Sequence, residues 1–421
     1  MRTLIFAPVT FNLAETTRMI AIARALGPSW RAIFQVYEDP YTHLIEQAGF
    51  EIRRLSPVLT PAEQAQALAL DQGRSIRHPF SARLVRERVA AERRLIRTSG
   101  AEAVVMGTNP TSLLSARAEG VPLFYAVPFA LTRPHVEQTS HLGLVLGEDP
   151  LRRLLDRAGS AALRLVYDRL PIAPRAFTTV AREVGVEPLR TGAALFEGDH
   201  TLLTVMPSEL DGYTLPPSYH RVGPIFAELP CEVPEVVERL AAGPRPLIYL
   251  ALGSSGDRRT VLGAIRSLAR LDVEVIAPVR HLLNPGDEDS LPDSIHPVDL
   301  LPAHRLGGLV DAAVIHGGQG TVQTACATGV PFVGMGMQPE QSWNVLVCAR
   351  EGNAIALHRR DAGTARLSDA VSRLLGDPAY RRAAERVQDE YAAEDGCAAA
   401  VRVIEQVLAG SAPGGAEVRQ D

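Results

Sequence analysis

A glycine-rich segment between two apolar runs holds the residues with the clearest capacity for chemistry in this sequence. Residues 316–321 read His-Gly-Gly-Gln-Gly-Thr, after the apolar run 312–315 and before Gly329-Val330-Pro331. Glycines let the backbone approach a ligand closely, and the first N–H groups of a following helix favour an anion. We therefore predict a strand, a tight loop, and a helix that starts at Thr321. An anion bound at the loop would receive a further donor from His316 and a hydroxyl from Thr321.

The order and spacing of this segment resemble the donor loop of bacterial, UDP-glycosyltransferase-like family 1 glycosyltransferases, in which HGGxGT precedes a helix and GVP follows it. The match continues downstream, where family members carry an acidic residue with Gln and then Asn. The resemblance implies that the loop binds the diphosphate of a nucleotide sugar, that Glu340 and Gln341 bind the sugar, and that Asn344 orders the loop. The diphosphate contacts it implies in this loop are His316, Gly318, Gln319, Gly320 and Thr321.

A second turn and a leucine pair complete the donor site that the resemblance implies. Gly253, Ser254 and Ser255 follow the apolar run 247–252 and would supply further contacts to the diphosphate. Taken alone, such a turn is usually a helix N-cap. Leu300 and Leu301 occupy the place where many family members stack an aromatic residue on the base, so these leucines would pack against uracil or thymine.

The composition limits the classes of protein to which the chain can belong. A net charge of −5 argues against nucleic acid as the main partner. No apolar run has the length of a membrane span, and the start is too short for a signal peptide, so we expect a cytoplasmic protein. The four cysteines lack metal-site spacing and read as reduced thiols. All 43 basic residues are arginine, which excludes Schiff-base lysines and lysine-dependent phosphate loops.

Apolar strands alternate with helical segments along the chain, which predicts an α/β fold with parallel, doubly wound sheets. The first strand-to-helix turn, residues 8–14, contains no glycine, which counts against an NAD-dependent dehydrogenase. The resemblance implies the GT-B fold, in which two Rossmann-like domains face each other across an interdomain cleft. We expect an acceptor-binding domain over 1–222, a nucleotide-sugar-binding domain over 223–390, and a tail over 391–421 whose helix packs back toward the first domain.

The position of the catalytic base departs from the family pattern. Family members begin the first helix with Gly-His, whereas this chain has Ala14-Glu15, and the aspartate that usually orients the histidine is absent from 107–109. Glu15 is the candidate base, provided that burial raises its pKa. An acid in the first turn of a helix can equally be a capping group, so both roles stay open. His135 and His141 are the fallback candidates.

The predicted activity is transfer of a hexose from a UDP- or dTDP-sugar to a small-molecule acceptor in natural product biosynthesis, with inversion and without a metal or other cofactor. A nucleotide-sugar hydrolase or epimerase, and a non-catalytic nucleotide-sugar-binding protein, are the alternatives.

Phe11, Tyr125 and Phe129 would suit an apolar acceptor, although core packing explains them equally. The arginine-rich stretch 61–97 reads as a solvated helix, with a basic rim for an anionic acceptor or a membrane as the alternative. Whether the chain forms a homodimer is left open.

Overall fold

A computed structural model describes the chain apart from some short segments and the end of the chain. Contacts divide it into two units, of which the first comprises Met1–Pro134, Val166–Ile225 and Asp395–Asp421 and the second His135–Leu165 and Phe226–Glu394. The residues outside the described part are 38, 39, 72–74, 76, 77, 143, 145–149, 170–174, 190–196, 254, 255 and 411–421.

Each unit contains a sheet whose described strands all pair in parallel. The first sheet has the order β3-β2-β1-β4-β5-β6-β7 and the second the order β10-β9-β8-β11-β12-β13. The strands are β1 Arg2–Ala7, β2 Trp30–Val36, β3 Glu51–Arg54, β4 Ala103–Met106, β5 Leu123–Val127, β6 His200–Leu203, β7 Tyr219–Arg221, β8 Leu247–Ala251, β9 Glu274–Ala277, β10 Ile295–Pro297, β11 Ala312–Ile315, β12 Phe332–Gly336 and β13 Ala354–His358.

Helices connect most successive strands and cover both faces of each sheet, as parallel pairing requires. The helices are α1 Leu13–Arg24, α2 Thr42–Gln47, α3 Pro61–Asp71, α4 Ala82–Ser99, α5 Thr111–Glu119, α6 Arg133–Gln138, α7 Pro150–Arg169, α8 Arg175–Glu183, α9 Glu235–Ala241, α10 Arg258–Leu268, α11 Gln319–Ala327, α12 Pro339–Glu351, α13 Ala365–Gly376, α14 Pro378–Ala392 and α15 Gly396–Gly410. The predicted α/β class with doubly wound parallel sheets is confirmed.

The strands are apolar on both faces because each sheet is buried between two helical layers. In β1, Leu4 and Phe6 belong to a core with α1, α2 and α15, whereas Ile5 and Ala7 belong to the core on the other face with α4, α5 and α8. The second sheet has the same plan, with α10 and α13 on one face and α11, α12 and α14 on the other. With both faces covered by helices, the edge at the carboxyl ends of the strands is where a ligand can reach each sheet.

Each sheet reverses its strand order at one point, between β1 and β4 in the first and between β8 and β11 in the second. Crossovers leave this point in opposite directions, which opens a crevice beyond the carboxyl ends of the two central strands. Ala7 and Met106 end the central strands of the first sheet, and Ala251 and Ile315 end those of the second. The turns that follow these four residues carry most of the chemistry predicted from the sequence.

The arginine-rich stretch forms two helices, α3 and α4, rather than one continuous element, and several arginines of α4 pair with acids, whereas Arg88 is buried and donates to the carbonyl of Pro57. Arg83 pairs with Glu87, Arg86 with Glu183, and Arg93 with Glu119. This supports the solvated-helix interpretation over the basic rim. Among the described residues, no helix combines the length and apolar character needed to cross a membrane.

Candidate active site

The glycine-rich loop connects β11 to α11, and its backbone can take this path only with glycine at position 317. Gly317 has a φ of +82°, and a Cβ there would lie 2.6 Å from the carbonyl oxygen of Gln341. Any side chain would therefore strain the backbone and collide with α12. The loop is consequently held against the first turn of α12 from one side.

The loop opens directly into the N-terminus of α11, which begins at Gln319 rather than at Thr321 as expected from the sequence. Val322 donates the first helical hydrogen bond, to the carbonyl of Gly318 at 3.0 Å. The N–H groups of Gly320 and Thr321 precede that bond, and Gly318 as N-cap has no side chain to satisfy them. The earlier start moves the positive end of the helix dipole onto the loop itself, which improves it as an anion site.

His316 is fixed in a narrow slot between two glycines. A Cβ at Gly253 would lie 2.6 Å from the ring atom Cε1, and a Cβ at Gly318 would lie 2.4 Å from Nε2. The Nδ1 atom lies 3.4 Å from the carbonyl oxygen of Ala251. Loss of hydration lowers the pKa of His316 to about 4. The ring is therefore neutral at pH 7, and the carbonyl favours the tautomer with the proton on Nδ1.

The N-terminal part of α12 supports the same loop through the side-chain amide of Asn344. Asn344 donates from Nδ2 to the carbonyl of Gly317 at 3.0 Å and to Oε1 of Glu340 at 2.6 Å. Gln341 accepts a hydrogen bond from the N–H of Met337 at 2.9 Å, which orients its side chain at the end of β12. The acid, the glutamine and the glycine loop are thus brought together at one edge of the second sheet.

A buried carboxylate occupies the equivalent position in the first unit. Oε1 of Glu15 accepts hydrogen bonds from the N–H of Val9 at 2.6 Å and of Thr108 at 3.0 Å, and Oε2 accepts one from the Thr108 hydroxyl at 2.8 Å. Val9 follows β1 and Thr108 follows β4, so Glu15 spans the reversal point of the sheet. The side chain is 5% exposed.

Two opposing effects act on the Glu15 carboxyl. Burial raises its pKa above the ordinary value, and the hydrogen bonds from Val9 and Thr108, together with the charge of Arg18, oppose the rise without cancelling it. A raised pKa makes the carboxylate a stronger base than an exposed glutamate. The geometry therefore meets the condition under which Glu15 could accept a proton.

Gly107 is required for this arrangement, and the sequence reasoning missed it. A Cβ at position 107 would lie 1.8 Å from Oε1 of Glu15, so any side chain there would displace the carboxylate. The family pattern places an aspartate in the segment 107–109, whereas in this structure Gly107 and Thr108 of that segment hold an acid that α1 supplies. The signal available in the sequence was the Gly-Thr pair directly after the apolar run 103–106.

Relatives of this chain share its architecture and its class of activity. The model of the family "Erythromycin biosynthesis protein CIII-like, C-terminal domain" matches residues 262–407. A PGL/p-HBAD biosynthesis glycosyltransferase of Mycobacterium tuberculosis is 26% identical over 396 residues, which are 92% of this chain and 88% of the relative. The 4'-demethylrebeccamycin synthase of Lentzea aerocolonigenes is 33% identical over 282 residues, which are 64% of this chain and 65% of the relative.

The fold matches as well. The crystal structure of glycosyltransferase VinC in complex with dTDP covers 97% of this chain and 100% of its own, with a TM-score of 0.69 and 20% sequence identity. This chain is a glycosyltransferase, and these matches support the bacterial family 1 expected from the sequence. The GT-B architecture expected from the sequence is confirmed, and so is the assignment as an enzyme.

Two residues predicted to bind the donor base are placed differently in the glycosyltransferase. Leu301 is 3% exposed and packs in the core of the second unit, whereas Leu300 is 49% exposed. The side chain of Leu301 therefore faces the core, and contact with a base remains an expectation for Leu300 alone. Gly253 adopts a φ of +55° after β8. Ser254 and Ser255 lie outside the described residues.

The fallback histidines of the glycosyltransferase belong to the second unit, whereas Glu15 belongs to the first. His135 is buried with its ring centroid 4.4 Å from that of Trp343, and burial lowers its pKa to about 4. His141 lies 3.1 Å from the Asp156 carboxylate. His135 thus packs against an aromatic ring and His141 contacts a carboxylate, and their role as fallback candidates stays a prediction.

A buried acid holds the turn that carries Thr108. The interpretation of the stretch 61–97 as a solvated helix does not hold at Glu92, which the structure buries completely. It accepts hydrogen bonds from the hydroxyls of Tyr37, Thr111 and Ser115 and from the Asn109 amide. A carboxyl group buried away from water needs hydrogen-bond partners of this kind, and these bonds fix the segment 109–115 and with it the position of Thr108.

Proposed function

We propose that this glycosyltransferase transfers a hexose from a UDP- or dTDP-sugar to a hydroxyl of an apolar small molecule, with inversion at the anomeric carbon and without a metal. One observation carries the proposal: a basic carboxylate and an anion-binding helix terminus each lie at the strand-order reversal of a Rossmann-like sheet. Reversal points are where such sheets bind their ligands. The two chemistries that sugar transfer needs, proton removal and departure of a diphosphate, are thereby both provided.

The departing nucleoside diphosphate is the main electrostatic problem of the reaction. As the bond from the anomeric carbon to the diphosphate oxygen breaks, negative charge grows on that oxygen. The N–H groups of Gly320 and Thr321 and the dipole of α11 stabilise this charge without reorganisation, because they are fixed before the reaction begins. Fixed dipoles of this kind do the work that a divalent cation would otherwise do, which is the basis for proposing a metal-independent reaction.

The acceptor is activated by Glu15. Its carboxylate takes the proton as the acceptor oxygen forms a bond to the anomeric carbon from the face opposite the diphosphate, which inverts the configuration. The hydrogen bonds from Val9 and Thr108 hold the carboxylate in place for that transfer.

Tyr125 and Phe129 are core residues of the first unit, which removes two of the three side chains expected to line the acceptor site. A cytoplasmic location is part of the proposal, since the four cysteines are free thiols.

Product analysis tests the activity directly. The enzyme is incubated with UDP-glucose or dTDP-glucose, with and without a pool of aromatic and macrolide alcohols, and glycosylated products are detected by mass spectrometry. We expect release of the nucleoside diphosphate to depend on the acceptor. Equal release without an acceptor would instead indicate a hydrolase, an epimerised donor an epimerase, and tight donor binding without turnover a binding protein.

Donor binding is expected to be coupled to proton uptake by His316. The neutral ring with its proton on Nδ1 presents a lone pair at Nε2, which an anion would repel. A bound diphosphate therefore raises the pKa of His316 from about 4, and the ring gains a proton as the anion binds. Calorimetric titration with dTDP in mildly acidic buffers of different ionisation enthalpy measures this uptake.

The matched control is the His316→Gln variant, which keeps a polar side chain but cannot take up the proton. The apparent binding enthalpy of the unaltered enzyme should vary with the ionisation enthalpy of the buffer, and that of the variant should not. Identical buffer dependence in the two proteins would exclude His316 as the proton acceptor, whatever the affinity of the variant for dTDP.

A further inference from the structure

The helix α7 presents leucines to the outside of the molecule. Nine large apolar side chains are exposed in the described part of the chain, and five of them belong to this one helix. They are Leu151, Leu154, Leu155, Leu163 and Leu165. Scattered exposed leucines are ordinary on protein surfaces, but a cluster on one element indicates a surface that contacts something else.

The spacing of these residues places most of them on one side of the helix. At 100° per residue, positions 151, 154, 155 and 165 fall within one face, together with the alanines at 158, 161 and 162. Those three alanines are also exposed. The face is therefore continuous over most of the helix length, and we call it the α7 leucine face.

The opposite side of α7 is polar, and it is this side that bonds to the segment before the helix. Oδ2 of Asp156 lies 3.1 Å from Nδ1 of His141, and Oγ of Ser160 accepts a hydrogen bond from the N–H of Leu142 at 3.0 Å. Asp156 and Ser160 are both buried. An amphipathic helix of a globular protein normally buries its apolar side, so the inverted orientation requires a reason.

The charges on the helix indicate what kind of surface fits the leucine face. The segment 150–169 contains five arginines and two aspartates. Arg153 and Arg157 are exposed, and Nε of Arg157 donates to Nε2 of His141 at 3.1 Å. Two copies of this helix facing each other would bring like charges together, which disfavours a symmetric dimer through this face. A surface with anionic groups outside and an apolar interior would pair with the arginines and bury the leucines.

We propose that the α7 leucine face docks on the surface of an anionic lipid bilayer. In that position the leucines enter the boundary between headgroups and acyl chains, while the arginine side chains reach the lipid phosphates. The helix lies in the plane of the surface and does not cross the membrane. This surface would keep the enzyme beside apolar acceptors dissolved in the bilayer, and it depends neither on the identity of the sugar nor on Glu15.

Co-sedimentation with vesicles tests the proposal on the full chain. Vesicles of phosphatidylcholine are compared with vesicles that also contain phosphatidylglycerol, at low and at high salt. We expect the protein to sediment with the anionic vesicles at low salt and to be released by salt, because attraction at the membrane surface is screened. The double substitution Leu154→Glu, Leu155→Glu should weaken binding by about tenfold or more, since it removes apolar area and adds negative charge.

Two further variants separate docking from general effects of charge and folding. Leu131→Glu alters an exposed leucine outside α7, and it should leave vesicle binding unchanged. Arg153→Gln should weaken binding to anionic vesicles while leaving the leucines intact. Thermal unfolding of each variant establishes that the comparison is made on folded protein. The proposal is overturned if the unaltered protein fails to sediment, if it binds neutral vesicles equally well, or if the double substitution instead dissociates an oligomer.

Discussion

Glu15→Gln is expected to lower the rate of sugar transfer by a factor of about 10² to 10⁴ while leaving the affinity for dTDP unchanged. The factor is the usual contribution of a general base. The substitution suits the site because the amide oxygen can keep both backbone hydrogen bonds, from Val9 and from Thr108. The amide nitrogen can then donate to the Thr108 hydroxyl, which already lies 2.8 Å from the second carboxylate oxygen. Steady-state kinetics and a dTDP titration on the same preparation measure the two quantities.

The dependence of the rate on pH distinguishes a base from a structural carboxylate. A base acts when deprotonated, so the activity of the unaltered enzyme should rise as pH increases through the raised pKa of Glu15 and then reach a plateau. The residual activity of the Gln variant should lack that rise. Thr108→Val is the matched control, because it removes a hydrogen bond to the carboxylate but keeps the base. Full turnover by the Gln variant would remove Glu15 from the mechanism and restore the capping interpretation.

Gly318→Ala is expected to abolish most of the affinity for the donor, with a loss of about tenfold or more. The new methyl carbon would lie 2.4 Å from Nε2 of His316, and the ring cannot move away because Gly253 closes the other side of its slot. The collision must therefore displace the ring or the N-cap of α11, and either change disrupts the anion site. Equilibrium titration with UDP and dTDP measures the loss.

The control for this substitution is Gly376→Ala, at the end of α13 in the same unit. A Cβ at Gly376 meets nothing within 4 Å, so the change in residue type is the same but the collision is absent. Donor affinity should be retained in that variant. Equal affinities in the two variants would show that the His316 slot does not form part of the donor site.

The donor loop was largely predictable because its chemistry is local in sequence. Glycines, a histidine and a helix start follow one another directly, and the helix terminus that binds an anion needs no distant partner. The start of α11 was placed two residues late for a local reason as well. Gly318 acts as N-cap without a side chain, so the usual Ser, Thr, Asp or Asn signal is absent.

The first site was predictable in part. Glu15 could be proposed from its place at the first helix, but its burial could not, because the groups that surround it come from different parts of the chain. Thr108 is 93 residues away from Glu15 in sequence. Similarly, the helical period places Glu92 on the same side of α4 as Leu84, Val89 and Leu95, but the hydroxyl and amide donors that let a carboxyl group be buried there lie on other elements.

The amino-acid sequence by itself determined the fold class, the family and the residues of the glycine loop. These features depend on the periods of strands and helices and on the order of neighbouring residues, which can be read without knowing the fold. Strand order decided the rest. It placed the ends of β1 and β4 side by side, and so gave Glu15 its donors and its raised pKa, and it brought Gly253 against His316. Tertiary contacts likewise decided which side of α7 is exposed. The helical period defines an apolar face, but it does not determine whether that face is buried. That choice follows from which groups, here His141 and the Leu142 N–H, are available to bind the polar side.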